Sequence, residues 1–407
     1  NEIPGIKCTK AGMITVPDSF RGYSIIDEEG EAVPTHKVGE KIEAFVSLKP
    51  LSFSTFKKGK ENKLDHSVQS TPVLENDLIK YEFNDQGHMI SAFDKELGRE
   101  VLKSPGNILS LYEDRPNNWD AWDIDFFYRG ALQETAKVSS KSKGQSGALS
   151  KQLEFEFKIG KSRIFQKIIL QPKSKRIDFQ TKVEWKEKHK MLRVHFPVNI
   201  MSDQASFDIQ YGYVKRNSHR NTSWDKAKFE VVGHKYADLS DHDYGVALLN
   251  DCKYGYMVHD NLLDLNLLRS PSNPDPDADI GEHSFTFSLL PHKKDLIRST
   301  VIKESTCLNQ EPLMFQGVSS NVRIPVNVSG NGIELSVLKK SEKEDCWIVR
   351  VAETNGRNST GTLTLSGLIT ECNLIEWDDI GESVNVNNDF DLDLAPFEIK
   401  TFKIHQL

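Results

Sequence analysis

Residues 151–160 read KQLEFEFKIG, and the alternation within them decides the fold class. Leu153, Phe155, Phe157 and Ile159 fall on one side of an extended chain and Glu154, Glu156 and Lys158 on the other, so one face enters a core and the other meets water. The same period of two returns in Ile177, Phe179, Val183 and Trp185 with Thr181 in register. It returns again in Leu192, Val194, Phe196, Val198 and Ile200, and in Phe285, Phe287 and Leu289. Near the end, Phe390, Leu392 and Leu394 alternate with aspartates, and Phe397 and Ile399 open a last strand after Pro396. No stretch holds an apolar repeat at helical spacing for more than about two turns. The expected fold is all-β, built of antiparallel β-sandwiches.

Turn chemistry divides these strands. Asn84-Asp85-Gln86-Gly87 separates the strand of Ile79, Tyr81 and Phe83 from that of Ile90 and Phe93 and predicts a hairpin. Residues 137–151 (KVSSKSKGQSGALSK) read as a mobile surface loop joining two strands. Tyr244-Gly245 and Tyr254-Gly255-Tyr256 read as strand edges and tight turns. A chain of 407 residues exceeds what one core usually serves. Charge and Ser replace apolar periodicity over 59–70, and a Cys-Leu-Asn-Gln-Glu-Pro run within 303–312 follows the last strong strand. The predicted domains are 1–65, 66–305 and 306–407, a small β domain, a large central one and a C-terminal sandwich.

Composition narrows the function classes. The net charge is −7 and the lysines are scattered, which excludes an electrostatic footprint for nucleic acid. No run approaches the roughly eighteen apolar residues of a membrane helix, and the first ten residues, NEIPGIKCTK, lack a signal pattern. The absence of an initiating Met sets the expectation of a piece of a longer polypeptide. Cys8, Cys252, Cys307, Cys346 and Cys372 are far apart in sequence and show neither a disulfide framework nor metal-ligand spacing. Isolated thiols fit a reducing, cytoplasmic setting.

Two stretches are dense in ligand-type residues. Residues 113–125 read EDRPNNWDAWDID, with Trp119-Asp120 and Trp122-Asp123 repeated within four residues. Indole faces stack on the apolar side of a pyranose while carboxylates accept its hydroxyl hydrogens. A Trp-Asp pair also fits a buried aromatic beside a turn residue. Residues 267–283 read LLRSPSNPDPDADIGEH, where three prolines stop any ladder and Asp275, Asp277 and Asp279 alternate. That pattern suggests a rigid rim loop at a polar pocket, with calcium as an alternative that lacks EF-hand spacing. Residues 212–256 add His219, Arg220, Asn221, Trp224, Asp225 and His234, histidines that structural hydrogen bonds readily satisfy.

Taken together, LENDLIKYEFNDQGHMISAFDKELGREVL, EDRPNNWDAWDID, RNTSWDKAKFEV, HKYADLSDHDYGVALLND and LLRSPSNPDPDADIGEHSFTFSLLPH resemble the post-catalytic region of family 38 α-mannosidases. The resemblance runs from about Val73 to the end, where GIELSVLKK, IVRVAET and LAPFEIKTFKI are similar to the family's terminal β-sandwich. It implies a central galactose-mutarotase-like supersandwich with smaller flanking β domains. It also implies a zinc-dependent retaining α-mannosidase, with zinc held by His and Asp residues and an Asp nucleophile on an N-terminal α/β domain followed by a helical bundle. No H-x-D pair stands after a strand near the start of this chain, so those ligands and the catalytic groups have no positions here. The chain alone is expected to be inactive and to supply the far wall of the pocket. Asp120, Trp122 and Asp123, with Arg269, Asp275 and Asp277, are the residues expected to hold an α-mannoside. The implied partners are the carbohydrate and the protein's own N-terminal catalytic domain, whose absence would expose apolar surface and favour homo-oligomers. Two alternatives are a stand-alone carbohydrate-binding or structural module and an aldose-epimerase-like enzyme using His219 or His234 with Glu282.

Overall fold

Alternation becomes sheet pairing where the sequence placed it: Lys151–Ile159 lies antiparallel to Ser162–Leu170, with Phe157 opposite Ile164 and Leu153 opposite Ile168. The computed structural model describes residues 10–38, 41–48, 52–61, 67–68, 72–141, 145–146, 149–170, 172–315, 317 and 325–405. This strand pair belongs to an eleven-stranded sheet that continues through Ile177–Trp185, Gly281–Lys293, Tyr244–Asn250, Tyr236–Ser240 and Gln204–Ile209 to Gly212–Asn217. A second sheet has six strands, ordered Leu132–Thr135, Ile108–Glu113, Lys190–Pro197, Leu262–Arg269, Gly255–His259 and Val231–Val232. Phe179 and Phe287 stack 4.9 Å apart on the larger sheet and meet Phe196 of the smaller one at 5.6 and 6.3 Å. The two inner faces therefore share one core, which also takes in Leu111, Val183, Val194 and Leu265. A four-stranded sheet that includes Ile79–Phe83 and Met89–Asp94 closes one side of it through Tyr81, Phe83 and Met89. The molecule is all-β, and the longest helix among the described residues is the nine-residue Val301–Asn309.

Smaller sheets flank this supersandwich. Two three-stranded sheets over residues 10–61 enclose Val16, Ile25, Ile42, Ala44 and Val46. A six-stranded sheet that includes Asn327–Gly330 and Ile399–His405 encloses Val349, Val351, Leu363, Phe402 and Ile404. The helix Val301–Asn309 occupies the stretch where the sequence suggested a junction, and its Val301 packs with Leu249, Leu290 and Tyr236 of the large sheet. Cys8 and residues 62–66 and 69–70 of the other suggested junction lie outside the described residues.

The Asn84 turn forms as expected. Asn84 Oδ1 accepts from Gln86 N at 2.9 Å and His88 N at 3.0 Å, while Gly87 takes φ 72°. A Cβ at Gly87 would stand 2.7 Å from the Phe157 ring, so both the backbone and the core exclude a side chain there. Gly87→Ala is expected to lower unfolding free energy by about 2 kcal/mol, read as a shift of the urea midpoint at unchanged slope.

Two expectations need correction. Residues 137–141 form a strand paired with Lys151–Ile159, because Val138 packs on the core while Lys137, Ser139 and Ser140 face water and leave the backbone free to join the edge. Residues 142–144 and 147–148 of that stretch lie outside the described residues. Tyr244-Gly245 opens an interior strand of the large sheet, buried along its whole length. Gly245 is required there by close approach: a Cβ would fall 2.4 Å from the His292 ring, which hydrogen-bonds Asp238 at 2.7 Å.

Candidate functional site

The outer face of the six-stranded sheet carries a buried charged cluster that the alternation pattern had registered only as the outward side of a strand. Arg193 lies between Leu192 and Val194, so its side chain leaves the core, yet it is completely buried. Its Nε donates to Asp264 Oδ1 of the neighbouring strand at 2.6 Å. Its Nη2 approaches Glu230 Oε1 at 3.2 Å without the alignment of a hydrogen bond. Tyr128 covers the guanidinium, 5.4 Å from its ring centre, and donates its hydroxyl to Glu230 at 2.5 Å. Burial works against the Arg193 charge, but Asp264 and Glu230 outweigh it and hold the guanidinium above its ordinary pKa. Burial pushes the Glu230 carboxyl upward, and Arg193 opposes that.

This cluster fixes one end of the loop containing EDRPNNWDAWDID, because Tyr128 sits on the short 3-10 turn that ends it. The other end is fixed by Asp114, buried directly after the strand Ile108–Glu113. Arg269, at the end of Leu262–Arg269, donates Nε to Asp114 Oδ2 at 2.5 Å and Nη2 to Asp114 Oδ1 at 3.3 Å. The same guanidinium reaches the carbonyls of Ala121, at 3.3 Å, and of Asp123. Burial pushes the Asp114 carboxyl up while Arg269 pulls it back. The middle is held by Asp120, whose Oδ2 accepts from the backbone of Ser272 at 2.5 Å and Asn273 at 3.1 Å. His189 completes that corner by bonding Ser272 Oγ at 2.8 Å.

The six residues expected at the site thus divide. Arg269, Asp120 and the main chain of Asp123 come together, and they act as the clamp between the two loops. Trp119 and Trp122 are left 68% and 69% exposed, large indoles held out from a loop pinned at three points. Trp119 also takes φ 58°, a left-handed conformation costly for a bulky residue, which the surrounding anchors enforce. Asp275 accepts from Asp277 N at 3.0 Å and Asp277 pairs with exposed Lys188 at 2.8 Å, so both serve the turn over 275–280. Asp114, His189, Ser272 and the Arg193 cluster were missed; the signal available for the cluster was an Arg and an Asp at outward positions of apolar strands. His219 faces Asp225 at 3.7 Å, His234 packs on Tyr254, and Glu282 stands on a strand opposite Glu184; no hydrogen bond or ion pair joins the three.

Among the described residues, the His, Cys, Asp and Glu side chains close enough to share one ion are Glu344, Cys346 and His405, on the C-terminal sheet. Asp275, Asp277 and Asp279 are not among them. No helix among them is long and apolar enough to cross a membrane.

Known proteins resolve the family. Residues 74–277 match the model of the Glycosyl hydrolases family 38 C-terminal domain. The chain belongs to glycosyl hydrolase family 38. Residues 332–402 match the family 38 C-terminal beta sandwich domain. Alpha-mannosidase G of Dictyostelium discoideum is 38% identical over 356 residues, covering 81% of this chain and 32% of that protein. Alpha-mannosidase 2C1 of Homo sapiens is 34% identical over 341 residues, covering 80% of this chain and 33% of that protein. The chain spans about a third of the length of the curated relatives it matches. The crystal structure of an alpha-mannosidase from Enterococcus faecalis V583 shares the fold at TM-score 0.74 and 16% identity, over 99% of this chain and 55% of that one. The chain thus carries the family 38 C-terminal domain and the family 38 C-terminal beta sandwich domain, organised as β-sandwiches.

Proposed function

We propose that these residues work within a retaining α-mannosidase as the wall of its sugar pocket and as the support for its catalytic portion. The observation that carries this reading is the loop 114–125: Arg269, Asp120 and Tyr128 immobilise it, and the immobilised loop presents Trp119 and Trp122 to the outside. A rigid, exposed indole loses little freedom when a pyranose stacks on it. The carboxylate of Asp123 stands beside them as a hydroxyl acceptor, and Asp275 and Asp277 form the outer rim.

The aromatic surface of Phe126, Phe127 and Trp224 around this loop is the face we assign to the enzyme's catalytic portion; in the isolated chain the same surface would promote self-association. The carboxylates of a retaining hydrolysis and the family's zinc belong to that portion. Among the described residues no three His and Asp side chains on this face lie close enough together to share an ion, and bond cleavage is assigned to that portion. The domain partition proposed is 1–65, 66–305 and 306–407, in a cytoplasmic enzyme.

Trp122→Ala, made in the longer enzyme, is expected to raise KM for an aryl α-mannoside roughly fivefold, the equivalent of about 1 kcal/mol of stacking. Its thermal midpoint should not move, since the indole is exposed. Trp377→Ala, on the C-terminal sandwich, is the matched control. Unchanged KM and kcat in Trp122→Ala would remove the loop from the pocket.

A further inference from the structure

The side chains that share ion-binding distance lie far from the loop just described in sequence, at the ends of two neighbouring strands of the C-terminal sandwich. Cys346 is the residue before the strand Trp347–Glu353, and His405 ends the strand Ile399–His405. These strands are antiparallel neighbours whose register places Trp347 opposite Ile404, so Cys346 and His405 face each other one step further along. Glu344 is brought to the same spot by a tight turn in which its carbonyl accepts from Cys346 N at 2.9 Å and the Cys346 carbonyl accepts from Ser341 N at 2.9 Å. The ligand atoms of the three lie within 4.8 Å of one another. We propose that Glu344, Cys346 and His405 form a zinc-binding site that ties the 341–346 turn to the end of the last strand.

The donor set is the reason for zinc. A thiolate, an imidazole and a carboxylate suit a borderline-soft d¹⁰ ion with no geometric demand beyond four-coordination, and do not suit calcium or magnesium, which want oxygen alone. Bonds of about 2.0–2.3 Å put tetrahedral ligand atoms about 3–4 Å apart, so a contraction of about 1 Å suffices. Cys346 is buried and fixed by the backbone, whereas the Glu344 and His405 side chains are 41% and 37% exposed and free to make that adjustment. Glu344 already divides its two oxygens: Oε1 accepts from Lys403 Nζ at 2.8 Å, and Oε2 lies 4.0 Å from His405 Nε2. Lys403 also meets Asp379 at 2.9 Å. With zinc on Oε2, Lys403 would remain on Oε1 and orient the ligand, as outer hydrogen bonds do at protein zinc sites. Thiolate, two carboxylates, ammonium and ion then sum to zero charge. Water takes the fourth position. A metal-bound cysteine is a thiolate, so the ion displaces the Cys346 proton on binding.

Cobalt(II) serves as the spectroscopic probe in a titration of the complete 407-residue chain carrying Cys8→Ser and Cys252→Ser, which removes the exposed thiol and the N-terminal one. The expected result is a sulfur-to-cobalt charge-transfer band that saturates at one equivalent and is bleached by zinc. Cys346→Ala should abolish the band. His405→Ala, at a half-exposed position that does not threaten folding, should keep the thiol but weaken binding at least tenfold. Zinc should also raise the thermal midpoint of the parent and not of Cys346→Ala. Absence of the band at one equivalent, or a band of equal strength in Cys346→Ala or His405→Ala, would overturn the assignment.

Discussion

Asp264→Ala should lower the stability of the chain by about 3–5 kcal/mol, the cost of leaving one partner of a buried ion pair uncompensated. Arg193 has no route to water: it is fully buried, its Nε is committed to Asp264, and Tyr128 closes over it. Glu230 does not replace it, since it lies 3.2 Å from Nη2 without the alignment of a hydrogen bond and the Nε donor is left with no acceptor. The paired replacement Arg193→Met with Asp264→Leu should be less damaging than Asp264→Ala alone, because it leaves no unpaired guanidinium. Glu230 would then take up a proton, in the direction in which burial already pushes its carboxyl. Urea unfolding of the three proteins decides this. A loss below about 1 kcal/mol in Asp264→Ala would show that the guanidinium is solvated after all.

Arg269→Ala should have the largest effect on catalysis in the longer enzyme without touching the reacting bond. One guanidinium joins the buried Asp114 carboxylate to the carbonyls of Ala121 and Asp123, so its removal frees the loop at the point where the tryptophans stand. Misplacement of a binding element by about 1 Å can cost about a hundredfold in rate, and we expect kcat/KM for an aryl α-mannoside to fall by at least that factor. Arg269→Lys should not restore it, since a single ammonium cannot reproduce the fork on Asp114 together with two carbonyls. Loss of the clamp should also lower the tryptophan emission anisotropy, since the exposed indoles gain rotational freedom, a readout independent of turnover. Activity within threefold of the parent would show that the loop holds its place through Asp120 and Tyr128 alone.

The strands were legible because their physics is local. Leu153 to Ile159 must put four apolar side chains on one face, and no other backbone does that with a period of two. The Asn84 turn was legible for the same reason: the Asn carboxamide and the left-handed glycine act within five residues. Tyr244 was misplaced because strand order is nonlocal; nothing in Tyr-Gly says that Gly281–Lys293 will lie on one side and Tyr236–Ser240 on the other. The site divided along the same line. Trp119, Trp122 and Arg269 stood out by residue type, but the task of Arg269 depends on Asp114, 155 positions away, and that of Asp120 on backbone amides 152 and 153 away. The Arg193 cluster was invisible as a cluster because Arg193 and Asp264 looked like ordinary polar residues on the wet side of their strands, while Glu230 and Tyr128 reach them from outside those strands.

The most direct test is hydrolysis of an aryl α-mannoside, with the matching α-glucoside as control, by the natural polypeptide that contains these residues, its intact mass taken on the same preparation. A polypeptide roughly three times the length of this chain that cleaves the mannoside in preference to the glucoside is the expected result, following the share of the curated relatives that the chain covers. A natural polypeptide of that length, correctly folded, that leaves the mannoside intact would contradict the assignment of these residues to an α-mannosidase.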